Sequence, residues 1–412
     1  MMVLPRKART SSVAYRPWVQ LPVHSVLING FLFIQGTVFL PSPMKEDELF
    51  CQLALSQVSG IGPFRFRKIV EQEESIAALF KSTARQLKRR LGLPMPLASA
   101  IHHFDRFGSL EKEWELMKKQ GIRMVSILDP EYPQRLKTCN DAPGILFVRG
   151  ACSFNTKKWI SVIGTRNATE YGRRITEQLI SELKGYDIGI VSGMAFGIDA
   201  IAHRSSIAHQ IPTLGVIAHG HGTIYPPQHR TLAQEVCSHG ALISEYLSHT
   251  KAEKGNFPMR NRIVAGIADA TVIVETGIKG GSMITADIAF SYNRELFCIP
   301  GRIGDEKSAG CLDLIRKMKA QLIGSADDIA VAMGWKQKQI HLQPTLFPDM
   351  TDEEKKVAHF LTQTESSSID TLALGTGFSH GQLASILLNM EMNGWIGIRP
   401  GKMIVWLGAA SI

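Results

Sequence analysis

No CxxC pair occurs among the six cysteines, Cys51, Cys139, Cys152, Cys237, Cys298 and Cys311. Several sit in apolar, strand-like surroundings such as Phe297-Cys298-Ile299. This pattern favours reduced thiols in a cytosolic protein over a disulfide framework or a zinc site. His219, His221, His229 and His239 scatter without zinc spacing, and there is no two-histidine metal set. A GxGxxG fingerprint is also missing, so a dinucleotide cofactor is not implied. The one extended apolar run, Val19 to Leu40, is broken by Pro22, His24, Asn29 and Gln35, too many polar groups for a membrane span. As a signal peptide its apolar core comes too late, and no clean cleavage site follows. Met44 directly precedes a helix-like acidic segment. The expectation is therefore that residues 1–44 are a translation artefact from a mis-assigned start, or a disordered arm.

What is present is ordinary globular material: 412 residues, 44% hydrophobic and 20% charged. That length suggests two to three domains, each able to bury its own core. The net charge of +9 is uneven, because residues 349–412 hold four Lys and Arg against seven Asp and Glu. A polyanionic partner is thus expected for the body of the protein and not for its tail. Residues 45–120 read as short helices around Val58-Ser59-Gly60-Ile61-Gly62-Pro63. That hairpin reads either as a helix-hairpin-helix offering amides to a phosphate or as a helical cap with a glycine turn.

The chain is organised around Trp159 to Gly172, WISVIGTRNATEYG. A buried strand, a tight turn at Gly164-Thr165-Arg166 and an amphipathic helix form the first crossover of a doubly wound α/β sheet. Gly164 allows close backbone approach, and Arg166 can add a charge-assisted contact to a phosphate. Strand and helix signals then alternate. Ile188 to Val191 ends in Ser192-Gly193-Met194-Ala195-Phe196-Gly197, and further strands lead to Gly280-Gly281-Ser282. Such alternation predicts a parallel sheet with ligand loops at its carboxyl edge. Arg166, Lys254, Arg260 and Arg262 are expected on that rim. Asp199 and His203 share helical i,i+4 spacing, and Glu275 ends a strand. Without a nucleophile in a defined motif, they are assigned to anchoring helices rather than to catalysis.

GTRNATEYG, SGMAFGIDAIAH, YPPQHRTL, FPMRNRIVAG, GGSMITADIAF and CIPG occur in that order over about half the chain. Together they closely resemble the DNA-processing protein A family (DprA, also called Smf). The resemblance implies an extended Rossmann-like fold in a cytoplasmic homodimer that binds and shields incoming single-stranded DNA and loads the RecA recombinase onto it. It implies no catalytic residues, no cofactor, no metal and no membrane partner. Carried over, the DNA-binding positions are Gly164, Thr165 and Arg166, then Ser192 and Gly193. Lys254 would meet a backbone phosphate, and Phe257 would face a base or simply pack. Arg260, Asn261, Arg262, Gly281, Ser282 and Thr285 complete the set. Departures from the family pattern are Thr169 for a serine, Gly222 for an aspartate, His229 for an asparagine, Gly280 for a serine and Leu312 for an asparagine.

The polar, proline-bearing stretch 336–348 reads as a linker. After it, a helix from Asp352 to Leu361, the segment Ile369 to Leu374, a turn at Gly375-Thr376-Gly377, a helix from Ser379 to Met392 and a hairpin through Pro400-Gly401 predict a winged helix over 349–412. Its second helix, SHGQLASILLNMEMNGW, lacks lysine and arginine, so the tail is expected to meet a protein rather than duplex DNA. Domain boundaries are then 1–44, 45–120, 121–335, 336–348 and 349–412. An apolar helix bearing Leu312, Leu314, Ile315 and Met318 reads either as a self-association face or as core. The alternative function, a nucleotide phosphoribohydrolase of the lysine-decarboxylase-like group, resembles PGGxGTxxE. Here GGSMITAD keeps the glycines without the catalytic glutamate in register.

Overall fold

The computed structural model describes residues 46–335, 350–364, 366–399 and 403–407, and the backbone of three short strands, Val26–Ile28, Phe31–Ile34 and Thr37–Phe39. The expectation for the rest of 1–44 and the linker at 336–348 lie outside the described residues. The chain divides into two compact units, residues 1–338 and 339–412.

Six helices open the first unit: α1 (Glu46–Ser56), α2 (Pro63–Gln72), α3 (Ile76–Phe80), α4 (Ala84–Leu91), α5 (Met95–His102) and α6 (Phe107–Lys119). They enclose Leu53, Leu55, Ile69, Leu79, Leu87 and Ile101, all fully buried. In the Gly60–Pro63 hairpin, the Arg65 guanidinium donates to the Gly60 carbonyl at 2.8 Å. The module is tied to the sheet by buried polar contacts. Ser126 Oγ donates to Gln52 Oε1 at 2.6 Å, and Glu113 accepts from the Ser248 amide at 2.6 Å.

The sheet has nine strands: β1 (Ile122–Ser126), β2 (Ile145–Gly150), β3 (Lys158–Ile163), β4 (Ile188–Ser192), β5 (Thr213–Val216), β6 (Gly240–Ser244), β7 (Ala270–Ile273), β8 (Glu295–Cys298) and β9 (Gln321–Leu322). The spatial order is β9-β8-β7-β3-β4-β5-β6-β2-β1. Strands β3 to β9 are parallel, while β2 pairs antiparallel with both β6 and the edge strand β1. The short α7 (Gln134–Lys137) joins β1 to β2, and crossovers are made by α8 (Glu170–Leu183), α9 (Ile198–Ala208), α10 (Arg230–His239), α11 (Asn256–Ile267) and α12 (Gly281–Ser291), with α13 (Ala309–Arg316) and α14 (Ala326–Ala332) closing the layer. Helices on both faces explain why β4 to β7 are buried along their whole length and read as continuous apolar runs. The chain winds outward from β3 to β6, then returns to place β7 on the other side of β3. The crevice between the carboxyl ends of β3 and β7 is therefore the topological switch point, where open α/β sheets bind ligands.

Of the apolar residues near the chain's last crossover, Leu314 is core, whereas Met318 is 91% exposed and Leu322 is exposed as well. The self-association motive thus rests on fewer side chains than the sequence pattern suggested. Among the described residues no helix is long and apolar enough to cross a membrane.

The second unit is a winged helix of α15 (Asp352–Thr362), α16 (Ile369–Thr376), α17 (His380–Met392) and a hairpin of β10 (Ile396–Arg399) with β11 (Met403–Trp406). It buries its own core of Val357, Leu361, Leu372, Leu383, Met390 and Ile404. Capping boxes start α15 (Thr351 with Glu354) and α17 (Ser379 with Gln382). Helix α16 runs through the expected turn at Gly375 and stops at Gly377, which takes the left-handed conformation at φ 75°.

Candidate nucleic-acid interface

Four loops meet at the switch point, and backbone bonds stitch them together. After β3, the Thr165 amide donates to the Glu275 carbonyl at 2.7 Å, and the Ile198 amide donates to the Thr165 carbonyl at 3.2 Å. So close a crossing requires Gly197: its φ is +75°, and a Cβ there would lie 2.1 Å from the Thr165 oxygen. After β4, Ser192 turns inward and its Oγ donates to the Val162 carbonyl at 2.7 Å. The Gly193 and Ala195 amides both donate to Asp199 Oδ2, at 3.2 and 3.3 Å. This loop is held open by the first turn of α9.

Arg260, on α11, forms the floor. Only 5% exposed, it donates to the Gly193 and Val216 carbonyls, and its Nε donates to Asn261 Oδ1 at 3.1 Å. Burial pulls its pKa down to about 10, against the opposing pull of Asp199. Asp199 is pushed up by the same burial, with Arg260 opposing. At Gly193 a Cβ would press 2.7 Å from the Arg260 guanidinium carbon, so that glycine is what lets the loop lie on the arginine.

The fourth wall is the start of α12. Its N-cap is Gly280, which supplies no side-chain cap, and Gly280, Gly281, Ser282 and Thr285 line the cleft. Uncapped amides at a helix start are an anion site in waiting. The N-caps of α9 (Gly197) and α11 (Gly255) lack side-chain caps as well. The resulting cleft has a volume of about 260 Å³. Arg166 stands at its mouth, exposed, with its guanidinium carbon 5.5 Å from the Phe257 ring centroid, a cation–π contact. Among the described residues Arg166 has no carboxylate partner.

Ten of the thirteen expected residues line this cleft: Gly164, Thr165, Arg166, Gly193, Phe257, Arg260, Asn261, Gly281, Ser282 and Thr285. Three do not. Ser192 is a fully buried strand lock. Lys254 is exposed on the turn before α11, outside the cleft lining. Arg262 is 3% exposed, paired with Glu245 and donating to the Asp141 carbonyl, so its charge does not stand on the rim. Arg260, too, is a floor and not a rim residue.

Two of the departures from the family pattern have local explanations. Thr169 accepts from the Gly172 amide at 3.0 Å and donates to Glu275, so it serves as the N-cap of α8. His229 Nδ1 lies 2.9 Å from the Met194 carbonyl. Asp199 and His203 make no pair, since His203 Nδ1 is bonded to Thr213 Oγ1 at 2.7 Å. Burial takes the His203 pKa down to about 3, and the ring is neutral. Glu275 accepts from the Thr169 amide at 3.0 Å. Each group in the tempting catalytic trio holds a loop or a helix end. Among the described residues no cluster of three or more His, Cys, Asp or Glu could hold a metal ion.

Sequence reasoning overlooked two rings. Phe196 and Tyr225, 44% and 48% exposed, line a smaller pocket that adjoins the cleft and shares Arg166, Gly193, Phe257 and Arg260 with it. The available signal was an aromatic within a glycine-bearing loop at a strand's carboxyl end.

Fold and cleft define the class: a Rossmann-like α/β core with a glycine-walled cleft at its switch point, followed by a winged helix. Residues 123–334 match the family described as DNA recombination-mediator protein A, and residues 343–402 match the DprA winged helix domain. The chain belongs to this DprA/Smf family. It is 39% identical over 213 residues to DNA processing protein DprA of Bacillus subtilis, covering 52% of this chain and 71% of that one. With Protein Smf of Synechocystis sp. it shares 29% over 396 residues, 87% of this chain and 98% of the relative. The X-ray structure of DNA processing protein A (DprA) from Streptococcus pneumoniae superposes with a TM-score of 0.52 at 27% identity, covering 68% of this chain and 99% of that one.

Proposed function

We propose that this chain is a cytoplasmic single-strand DNA-binding protein that shields incoming DNA and loads RecA recombinase onto it. Backbone phosphates would sit in the cleft against the α12 amides and Arg166, with Lys254 adding charge from outside the lining. One base would rest on Phe257. The observation that carries the reading is the pairing of Arg166 with Phe257 at the mouth of an uncapped cleft. Sequence-tolerant strand binding wants that combination of a cation for phosphate and a flat ring for a base. Holding a strand by its phosphates leaves most bases free to pair later, so the complex can be handed on. The family's description as a recombination mediator supports the loading step.

On this reading the protein acts without a cofactor, a metal or catalysis of its own, as a homodimer joined through the Rossmann-like body. Exposed Met318 and Leu322 near its edge support that contact. The test is RecA assembly on strands already coated by single-strand-binding protein. The protein should shorten the lag before filament growth without hydrolysing ATP, and Arg166→Ala should abolish the effect. An unchanged lag across a range of ratios would reduce the function to DNA binding alone. Release of ribose phosphate from purine monophosphates would instead favour a phosphoribohydrolase. Light scattering that shows a monomer at high micromolar concentration would remove the dimer.

A further inference from the structure

Phe196, Tyr225 and Phe257 come from three different loops, after β4, after β5 and at the start of α11, yet they face one small pocket. Tyr225 and Phe257 are in edge contact, ring centroids 5.8 Å apart at 60°. Phe196 stands edge-on to His229 at 4.8 Å. Neither loop is slack. The buried His219 ring accepts the Tyr225 amide on Nε2 at 3.2 Å and so donates from Nδ1 to the Gly220 carbonyl at 2.8 Å. Buried His229 is fixed by the Met194 carbonyl at 2.9 Å. Two rings that leave nearly half their surface in water, one on a residue whose amide a buried histidine holds and the other edge-on to a buried histidine, are more than core packing requires. They adjoin the cleft through Arg166, which lines both spaces.

We propose that Tyr225 and Phe196 form a second base platform, continuing from Phe257, on which nucleobases of the bound strand stack while its phosphates occupy the cleft. The inference rests on the single-strand reading above and extends the contact from one base to a short run. Its occupant is a nucleobase of any identity, since every base offers a π-face.

The test uses the full chain with oligo-dT and an abasic strand of the same length and charge. Wild type binds oligo-dT more tightly than the abasic strand. Tyr225→Leu and Phe196→Leu keep apolar cover but remove the flat ring. Each lowers oligo-dT affinity roughly five- to hundred-fold, the range for losing one stacked base. Binding of the abasic strand and the salt dependence on either strand stay as in wild type, and Tyr225→Phe binds like wild type. Oligo-dT affinity unchanged in both leucine variants overturns the platform, as does equal loss on both strands. A wild type that holds both strands equally overturns the platform and leaves phosphate binding standing. A wild type that binds neither strand overturns the single-strand reading itself.

Discussion

The switch-point edge of the core and the winged helix finish most of their helix starts differently. In the winged helix, α15 and α17 begin with full capping boxes, and the exposed side of α17 carries Leu388, Glu391 and Met392 with no lysine or arginine. On the carboxyl edge of the sheet, α9, α11 and α12 begin at Gly197, Gly255 and Gly280 with no side-chain cap, while α8 on the same edge is capped by Thr169. A cap contributes about 1 kcal/mol, so three uncapped ends on one edge forgo stability that the tail collects. The difference matters most at α12, whose uncapped start lines the cleft, since at α9 the Ile198 amide is already taken by the Thr165 carbonyl. Departures from local stability rules are expected at functional sites, and the one at α12 opens on a cleft that Arg166 also lines.

The largest effect that separates the two regions should come from Arg260. In Arg260→Ala the Gly193 and Val216 carbonyls lose their donor, and Asp199 loses its neighbouring charge in a buried setting. Breaking such an arrangement costs roughly 3 to 5 kcal/mol. Denaturant melts should show the core transition moving and the winged-helix transition staying. A core midpoint equal to wild type would refute the floor role.

Acid should sharpen the contrast next. His203 is neutral in the fold, with its pKa lowered from 6.5 to about 3, so below 6.5 the unfolded chain binds a proton that the folded chain does not. Stability from this group is complete above pH 6.5 and falls as the pH drops towards 3, by on the order of 3 kcal/mol at pH 4. His221, lowered to about 4, acts in the same direction. The winged helix has no buried histidine among its described residues. Melts between pH 7 and 4 should therefore bring the core transition down faster, and His203→Gln should flatten that slope. Parallel shifts of both transitions would count against this account.

Smaller and local, Ser379→Ala should cost the winged helix about 1 kcal/mol through loss of its cap and leave oligo-dT binding untouched. Weakened binding in that variant would draw the tail into the interface. Smallest in stability, Arg166→Ala and Lys254→Ala should melt like wild type, both being exposed. Each should reduce the log–log salt slope of single-strand binding by about 0.7, one phosphate contact apiece. Arg262→Ala, by contrast, should destabilise the core and leave the slope alone. A slope change in Arg262→Ala with none in the other two would invert the assignment.

Much of this geometry could be read from the chain. The strand-turn-helix at Trp159 to Gly172 announced itself, because a buried strand ending in glycine before an amphipathic helix has few other uses. Strand alternation then located the edge where the loops gather. The RNR stretch was misread for a simple reason. Residues two apart on a helix point nearly opposite ways, so Arg260 and Arg262 on α11 cannot both face the cleft. Helical period alone would have divided them, though not said which one lies beneath it. Phe196 and Tyr225 had no such clue. Loops have no periodicity, so the exposure of a ring there depends on tertiary contacts such as those of His219 and His229. The antiparallel run of β1 and β2 was equally hidden, since pairing direction leaves no mark in a six-residue strand.

The central claim is that the cleft edge holds single-stranded DNA by phosphate and ring. It is tested most directly by measuring full-chain affinity for labelled oligo-dT and for blunt duplex of matched length across a salt series. The account predicts tighter binding of the single strand at every salt concentration, and a linear fall of its log affinity with log salt whose slope shrinks in Arg166→Ala. Equal affinity for the duplex, with a slope that Arg166→Ala leaves unchanged, would contradict it.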